Sequence, residues 1–190
     1  PGCELSGSCY VWTRRHLNVD SRILHGFRWV STCDLLEHED VRTDKADALL
    51  AYVDTHCGPP TLPAIVACSR TNVIIDGHHR HHVIRRMGFS LCPVLYVDYE
   101  HADILVHTDK NSVITKQAVI DAATSRRLLA PKSTKHVLLA GNGEPYPIVT
   151  ISPNCGLADE YVNLTGGWSY TPAQARRIKT NSKEGPAAKT

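Results

Sequence analysis

Short apolar runs broken by polar turns alternate along this chain with stretches whose apolar positions recur every three or four residues. The first pattern belongs to strands and the second to helices. Phe27 to Val30 reads as a strand. Asp34 to Glu39 reads as a turn or a helical onset. Asp44 to Val53 carries Ala46, Leu49, Leu50 and Val53 on one face and predicts an amphipathic helix, ended by Gly58-Pro59-Pro60. Pro63 to Cys68 and Val73 to Ile75 are apolar enough for buried strands, joined by a turn at Ser69-Arg70-Thr71-Asn72. A helix follows from His78 to Met87, with Val83, Ile84 and Met87 as its apolar contacts and Gly88 as its stop. Strands at Pro93 to Val97 and Ile104 to His107, a helix over Thr115 to Ala123, a polar loop from Pro131 to His136 and a turn-rich segment from Gly141 to Pro147 complete the readable part. Strands and helices interleave, so the expected class is α+β, a small mixed sheet flanked by helices.

Composition narrows this only a little. The 190 residues fit one domain with appendages, and an apolar content of 42% supplies a core. The expected division is an N-terminal extension over 1–26, a folded domain over 27–170 and a basic, disordered tail over 171–190. That tail carries five Lys/Arg against one acidic residue, Glu184, while the whole chain is only +2. The folded body is therefore slightly acidic, which argues against a nucleic-acid scaffold built on clustered cations. No apolar stretch is long enough to span a membrane. Seven cysteines without a Cys-x-x-Cys pair favour reduced thiols and a cytoplasmic location, although Cys3 and Cys9 are close enough to pair if oxidised. The Asn163-Leu164-Thr165 sequon is a triplet common by chance and carries little weight.

Candidate chemistry gathers in three places. Asp76-Gly77-His78-His79-Arg80 stands where a strand turns into a helix. Free N–H groups and the positive end of the helix dipole face outward there, which suits a phosphate. Gly77 permits close approach, Arg80 and the imidazoles add charged donors, and Asp76 would cap the helix, position a histidine or hold magnesium. The bland alternative is a capped helix with a solvated first turn. A zinc site through His78 or His79 with His82 is sterically open on a helix face, but the Glu of His-Glu-x-x-His and a nearby Cys pair are both missing. Glu37-His38-Glu39-Asp40 places carboxylates ahead of a helix, where one can serve as a general base or simply decorate the first turn. Pro131-Lys132-Ser133-Thr134-Lys135-His136 offers cations, hydroxyls and an imidazole to an anion, or is an exposed loop.

Together these elements resemble the free serine kinases of the ParB/sulfiredoxin-like superfamily. The Asp-Gly-His-His-Arg turn is similar, and so is Leu36-Glu37-His38-Glu39 to a Leu-x-x-His-Glu element. Pro93-Val94 with Val97-Asp98-Tyr99, Ile114-Thr115-Lys116 with Val119-Ile120, and Ala130 to His136 follow in the expected order, so the resemblance covers about residues 28–137. It implies that Glu39 is the base acting on the serine hydroxyl and that Asp76 is a second essential acid. It also implies that Gly77, His78, His79 and Arg80 hold nucleotide phosphates, and that Lys132, Thr134 and His136 bind serine or its phosphorylated product. ATP or ADP with Mg2+ and free L-serine are then the expected cofactors and partners. Neither nucleic acid nor membrane is expected, and nothing in the residues decides the metal ligands or the oligomeric state. Departures occur at Glu37, Ala130 and Lys135, where the family has proline, proline and arginine. Lys135 keeps the charge and loses the bidentate fork. His81 and His82 lie beyond the match. The competing expectations are a ParB-like nucleotide- or DNA-binding module and a non-catalytic nucleotide sensor. A sulfiredoxin-like reductase would need a cysteine at the turn, and none lies between Cys68 and Cys92.

Overall fold

The computed structural model describes residues 17–55, 61–108 and 114–157. The expected tail, the Asn163 sequon, Cys3, Cys9 and the Gly58-Pro59-Pro60 stop lie outside these residues. The division into extension, domain and tail remains an expectation, although Ile23 is already fully buried and β1 (Leu24–Ser31) starts ahead of Phe27.

The central sheet has four strands in the order β1, β5 (Leu91–Val97), β3 (Ile65–Cys68), β4 (Ile74–Asp76). The β1–β5 and β3–β4 pairs are antiparallel and β3–β5 is parallel, so the sheet is mixed as expected. All four residues of β3 are buried, and their alternation splits the core in two. Ile65 and Ala67, with Ile74, Val94 and Tyr96, meet Val53 of α1 (Thr43–Thr55) and Ile84 of α2 (His78–Arg86). Val66 and Cys68, with Ile75, Leu95 and Val97, face Tyr99, Ile104, Val119, Leu138 and Ile148. These come partly from α3 (Lys116–Thr124) and from a three-stranded antiparallel sheet of β6 (Ile104–His107), β7 (Lys135–Leu139) and β8 (Pro145–Pro147). The two-stranded pair of β2 (Thr61–Pro63) and β9 (Asn154–Gly156) lies apart from both sheets.

Local chemistry accounts for most boundaries. Thr115 caps α3 by accepting from the Ala118 N–H at 3.1 Å. α2 ends in a Schellman arrangement, with Gly88 at φ 85°, its N–H donating to Arg85 and the Phe89 N–H donating to Ile84. Three expectations are corrected. Asp34 to Glu39 is not a helical onset, because Leu36 and Glu39 form parallel bridges to Val73 and Leu129. Pro63 to Cys68 is not one strand. The Ala64 carbonyl is drawn out by Arg80 Nη1 and Ser152 Oγ, each at 2.6 Å, and the ladder breaks there. The loop from Pro131 stops short of His136, which lies on β7 opposite Val106. No described helix is long and apolar enough to cross a membrane.

Candidate active site

The three candidate segments around Glu39, Asp76 and Lys132 meet at the C-terminal end of β4. The segment ahead of α1 runs beside β4 through the Leu36–Val73 bridge, and His38 on it feels the charges of both Glu39 and Asp76. On it, His38 is fully buried and hydrogen bonds the Ile74 carbonyl through Nδ1 at 2.7 Å. His136 bonds the next residue's backbone, at Ile75, and its Nε2 accepts from the Tyr99 hydroxyl at 2.8 Å. The turn after β4 places His78 edge-on to His38, with ring centroids 4.4 Å apart. The His38 N–H donates to His78 Nε2 at 3.4 Å.

Glu39 is the most heavily bonded group in the site. Only 7% of it is exposed. Its Oε2 accepts from the Lys132 N–H at 3.0 Å, and its Oε1 from the Thr134 N–H at 2.6 Å and from the Thr134 hydroxyl. The Ser133 hydroxyl approaches Oε1 more loosely, at 3.4 Å. Lys132 adopts φ 58°, a left-handed conformation in a turn that aims the Lys132 and Thr134 N–H groups at one carboxylate while the Ser133 N–H donates to the Ala130 carbonyl. The chain therefore wraps the 132–134 turn around Glu39, and the two segments, distant in sequence, form one unit. Thr134 Oγ1 also lies 3.0 Å from His38 Nε2, so its single hydroxyl hydrogen can serve either Glu39 or the His38 ring, which itself bonds the Ile74 carbonyl.

The Asp76 corner is built differently from a capped helix. Asp76 does not cap α2. Its carboxylate pairs with Arg80 one turn on, and Gly77 occupies the N-cap at φ 111° without a side-chain cap. A Cβ at Gly77 would sit 3.0 Å from Arg80 Nη2, so the glycine serves both the backbone conformation and the guanidinium packed against it. Arg80 is 8% exposed, and its Nη1 donates to the Pro63 and Ala64 carbonyls at 2.6 Å each. It thereby ties the corner to the β2–β3 junction. The Asp76 side chain stays 40% exposed at the mouth. His79, partly exposed, accepts from the Arg42 N–H at 3.3 Å and lies in the field of Lys132.

Burial favours the neutral form of His38, His78 and His136. It pushes His78 well below the ordinary histidine range, with the neighbouring His38 and His136 adding to the effect. It lowers His136 to about 3, helped by His38 and Lys116 and opposed by the Ile75 bond. His38 is lowered by burial against the pull of Glu39. Burial lowers the Arg80 guanidinium too, and Asp76 works against it.

The predicted residues Glu39, Asp76, Gly77, His78, His79, Arg80, Lys132, Thr134 and His136 thus come together, with different freedom. Asp76, His79 and Lys132 reach the surface, whereas both nitrogens of His136 and both terminal nitrogens of Arg80 are engaged within the protein. His38, Ser133 and Tyr99 were given no role by the residue pattern, although each lay inside a stretch it singled out. His81, set aside as beyond the motif, is 1% exposed and bridges Glu37 Oε1 at 2.7 Å and the Thr32 carbonyl at 2.8 Å. It locks α2 to the segment carrying Glu39. Among the described residues no group of three or more His, Cys, Asp or Glu is placed to hold a metal, which removes the basis for zinc through His78 or His79 with His82. Cys33, exposed, and Cys68, buried, are free thiols.

No protein-family model matches the chain, and no curated protein matches it. Solved structures do. A structure of free serine kinase in complex with AMP superposes with a TM-score of 0.53 at 13% identity, over 66% of this chain and 91% of that one. A mutant of free serine kinase in complex with ADP gives 0.53 and 13%, over 66% and 92%. Another mutant in complex with AMP gives 0.52 and 12%, over 66% and 92%. The resemblance read from the residues therefore holds at the level of architecture, and the chain shares the fold of the free serine kinases.

Proposed function

We propose that this protein is a small-molecule kinase that transfers a phosphoryl group from ATP or ADP to the hydroxyl of free L-serine, giving O-phospho-L-serine. The observation that carries the reading is the convergence of Glu39, the Asp76–Arg80 corner and the 132–136 segment around the end of β4. Support comes from the shared fold with free serine kinase structures that hold AMP or ADP.

Phosphoryl transfer requires positioned phosphates, neutralised charge and an oriented nucleophile. In this reading the first-turn N–H groups of α2 at His78 to Arg80, with Gly77 and His79, receive the nucleotide phosphates. Arg80 acts from behind by holding Asp76 and the corner in place. Asp76 suits Mg2+, because a half-exposed carboxylate beside phosphates is how that ion is commonly held, with water in the other positions. Bound there, Mg2+ would neutralise phosphate charge. Lys132, exposed at the rim, meets the amino-acid carboxylate, with Thr134 and His136 shaping the segment behind it.

The serine hydroxyl enters where the Ser133 hydroxyl now makes its loose approach to Glu39. Glu39 takes the hydroxyl proton as the serine Oγ forms its bond to phosphorus and the bond to the nucleotide's leaving oxygen breaks. The groups behind Glu39 can accommodate that proton on its carboxyl group. A protonated Glu39 donates to Thr134 Oγ1, whose own hydrogen turns to His38 Nε2, with no heavy atom moving. His38 is prepared for this because its Nδ1–H is held by the Ile74 carbonyl, leaving Nε2 as the acceptor. The test is to incubate the folded protein with L-serine, Mg2+ and ATP or ADP in turn and analyse by mass spectrometry. O-phosphoserine with one donor supports the reading. Nucleotide binding without product from either donor refutes it in favour of a nucleotide sensor.

A further inference from the structure

At the other end of the sheet, where β3 turns into β4, lies a cleft of about 410 Å³ lined by His25, Arg28, Ser69, Arg70, Asn72 and Tyr96. It shares no residue with the candidate active site, because Ser69 to Asn72 form the turn at the opposite end of the β3–β4 hairpin from Asp76. We propose that this cleft is a second binding site, for a small phosphate ester.

Three features argue for an anion. The lining contains two guanidinium groups and an imidazole and no carboxylate. Two acids stand near it: Asp98 meets Arg70 Nη2 at 3.4 Å and leaves Arg70 64% exposed, and Asp34 acts on Tyr96 through its charge. Next, the lining is set up to donate. Tyr96 donates its hydroxyl to Asn72 Oδ1 at 3.1 Å, which fixes the amide oxygen and leaves the amide nitrogen as a donor. Most telling is Ser69. Its Oγ is the buried side-chain oxygen or nitrogen among the described residues that has no hydrogen-bond partner. Buried hydroxyls are normally satisfied, and one left open in a basic cleft fits a ligand oxygen.

Shape and support select the ligand class further. Arg28 stacks over the Tyr96 ring at 5.6 Å from its centroid, which presents the planar fork suited to a phosphate's paired oxygens. Asn72, at φ 58°, closes the turn so that Ser69, Arg70 and Asn72 face one space. The volume falls in the range of small-molecule sites and exceeds what a bare phosphate fills, leaving room for an organic part.

The experiment is a backbone amide NMR titration of the full chain with inorganic phosphate and, separately, with glycerol 3-phosphate, at constant ionic strength. The expected result is saturable shifts at Ser69, Arg70 and Asn72 with both, at lower concentration for the ester. Arg28→Ala, a surface change, is expected to weaken binding roughly tenfold, as loss of a charged hydrogen bond does. Ser69→Ala is expected to weaken it as well while leaving the ligand-free protein as stable or more so, which a merely structural serine would not do. Shifts that fail to saturate, that chloride reproduces, or that are confined to Gly77–Arg80 would overturn the proposal. So would unchanged affinity in both variants.

Discussion

Replacing Arg80 by methionine removes every donor from the centre of the Asp76 corner while nearly conserving volume. Three acceptors lose a partner. The Pro63 carbonyl loses its 2.6 Å bond, and the Ala64 carbonyl keeps only Ser152. Asp76 loses its ion pair, but its carboxylate is 40% exposed and water replaces much of that interaction. An unsatisfied buried carbonyl costs about 1–3 kcal/mol, and breaking a buried ion pair costs about 3–5 kcal/mol. The exposure of Asp76 places Arg80→Met at the lower end, about 3 kcal/mol, or roughly 10 °C in Tm for a chain of this size. Asp76→Asn should cost about 1 kcal/mol or less, because both carbonyl bonds survive. Thermal melts of the two single variants and the double variant close a cycle, whose coupling should equal the Asp76→Asn cost within error. A Tm for Arg80→Met within about 2 °C of wild type, or strict additivity in the cycle, would refute the view that Arg80 holds the corner together.

Two more outcomes are expected. His78 and His136 are depressed in the folded protein, so on acidification the unfolded chain takes up protons first. Stability is then complete above about pH 6.5 and falls below it, by about 1.4 kcal/mol per pH unit for each such imidazole. For His136 the loss continues to about pH 3. Urea unfolding at a series of pH values checks this, and His136→Gln should flatten the slope by one imidazole's share. His81→Leu removes the ring's contacts with Glu37 and the Thr32 carbonyl and should cost about 2–4 kcal/mol; its melting temperature should drop while ADP affinity, measured by calorimetry, stays unchanged.

What could be read from the residues, and what could not, divides by the range of the forces involved. α1, α2 and α3 were legible because each carries its period, and α2 and α3 also carry local stops or caps, as at Gly88 and Thr115. β3 to β5 were legible as apolar runs. The segment from Asp34 to Glu39 was not, since its extended form comes from bridges to Val73 and Leu129, far along the chain. His136 looked like part of a loop because Lys135 beside it is exposed, and its strand is held by β6 and β8. In the site, the three segments were identified, but the division of labour within them was not. Asp76 reads as a cap until Arg80 is seen turned inward to it. His81 reads as surplus until Glu37 is found as its partner.

The central claim is that Glu39 and the Asp76 corner transfer a phosphoryl group to serine. The most direct measurement follows 31P NMR spectra of folded wild-type protein and Glu39→Gln, each with L-serine, Mg2+ and ATP or ADP. The account predicts an O-phosphoserine resonance growing from one donor with wild type, and growing at least about 100-fold more slowly with the variant. Absence of that resonance from wild type with both donors, or equal rates from the two proteins, would contradict it.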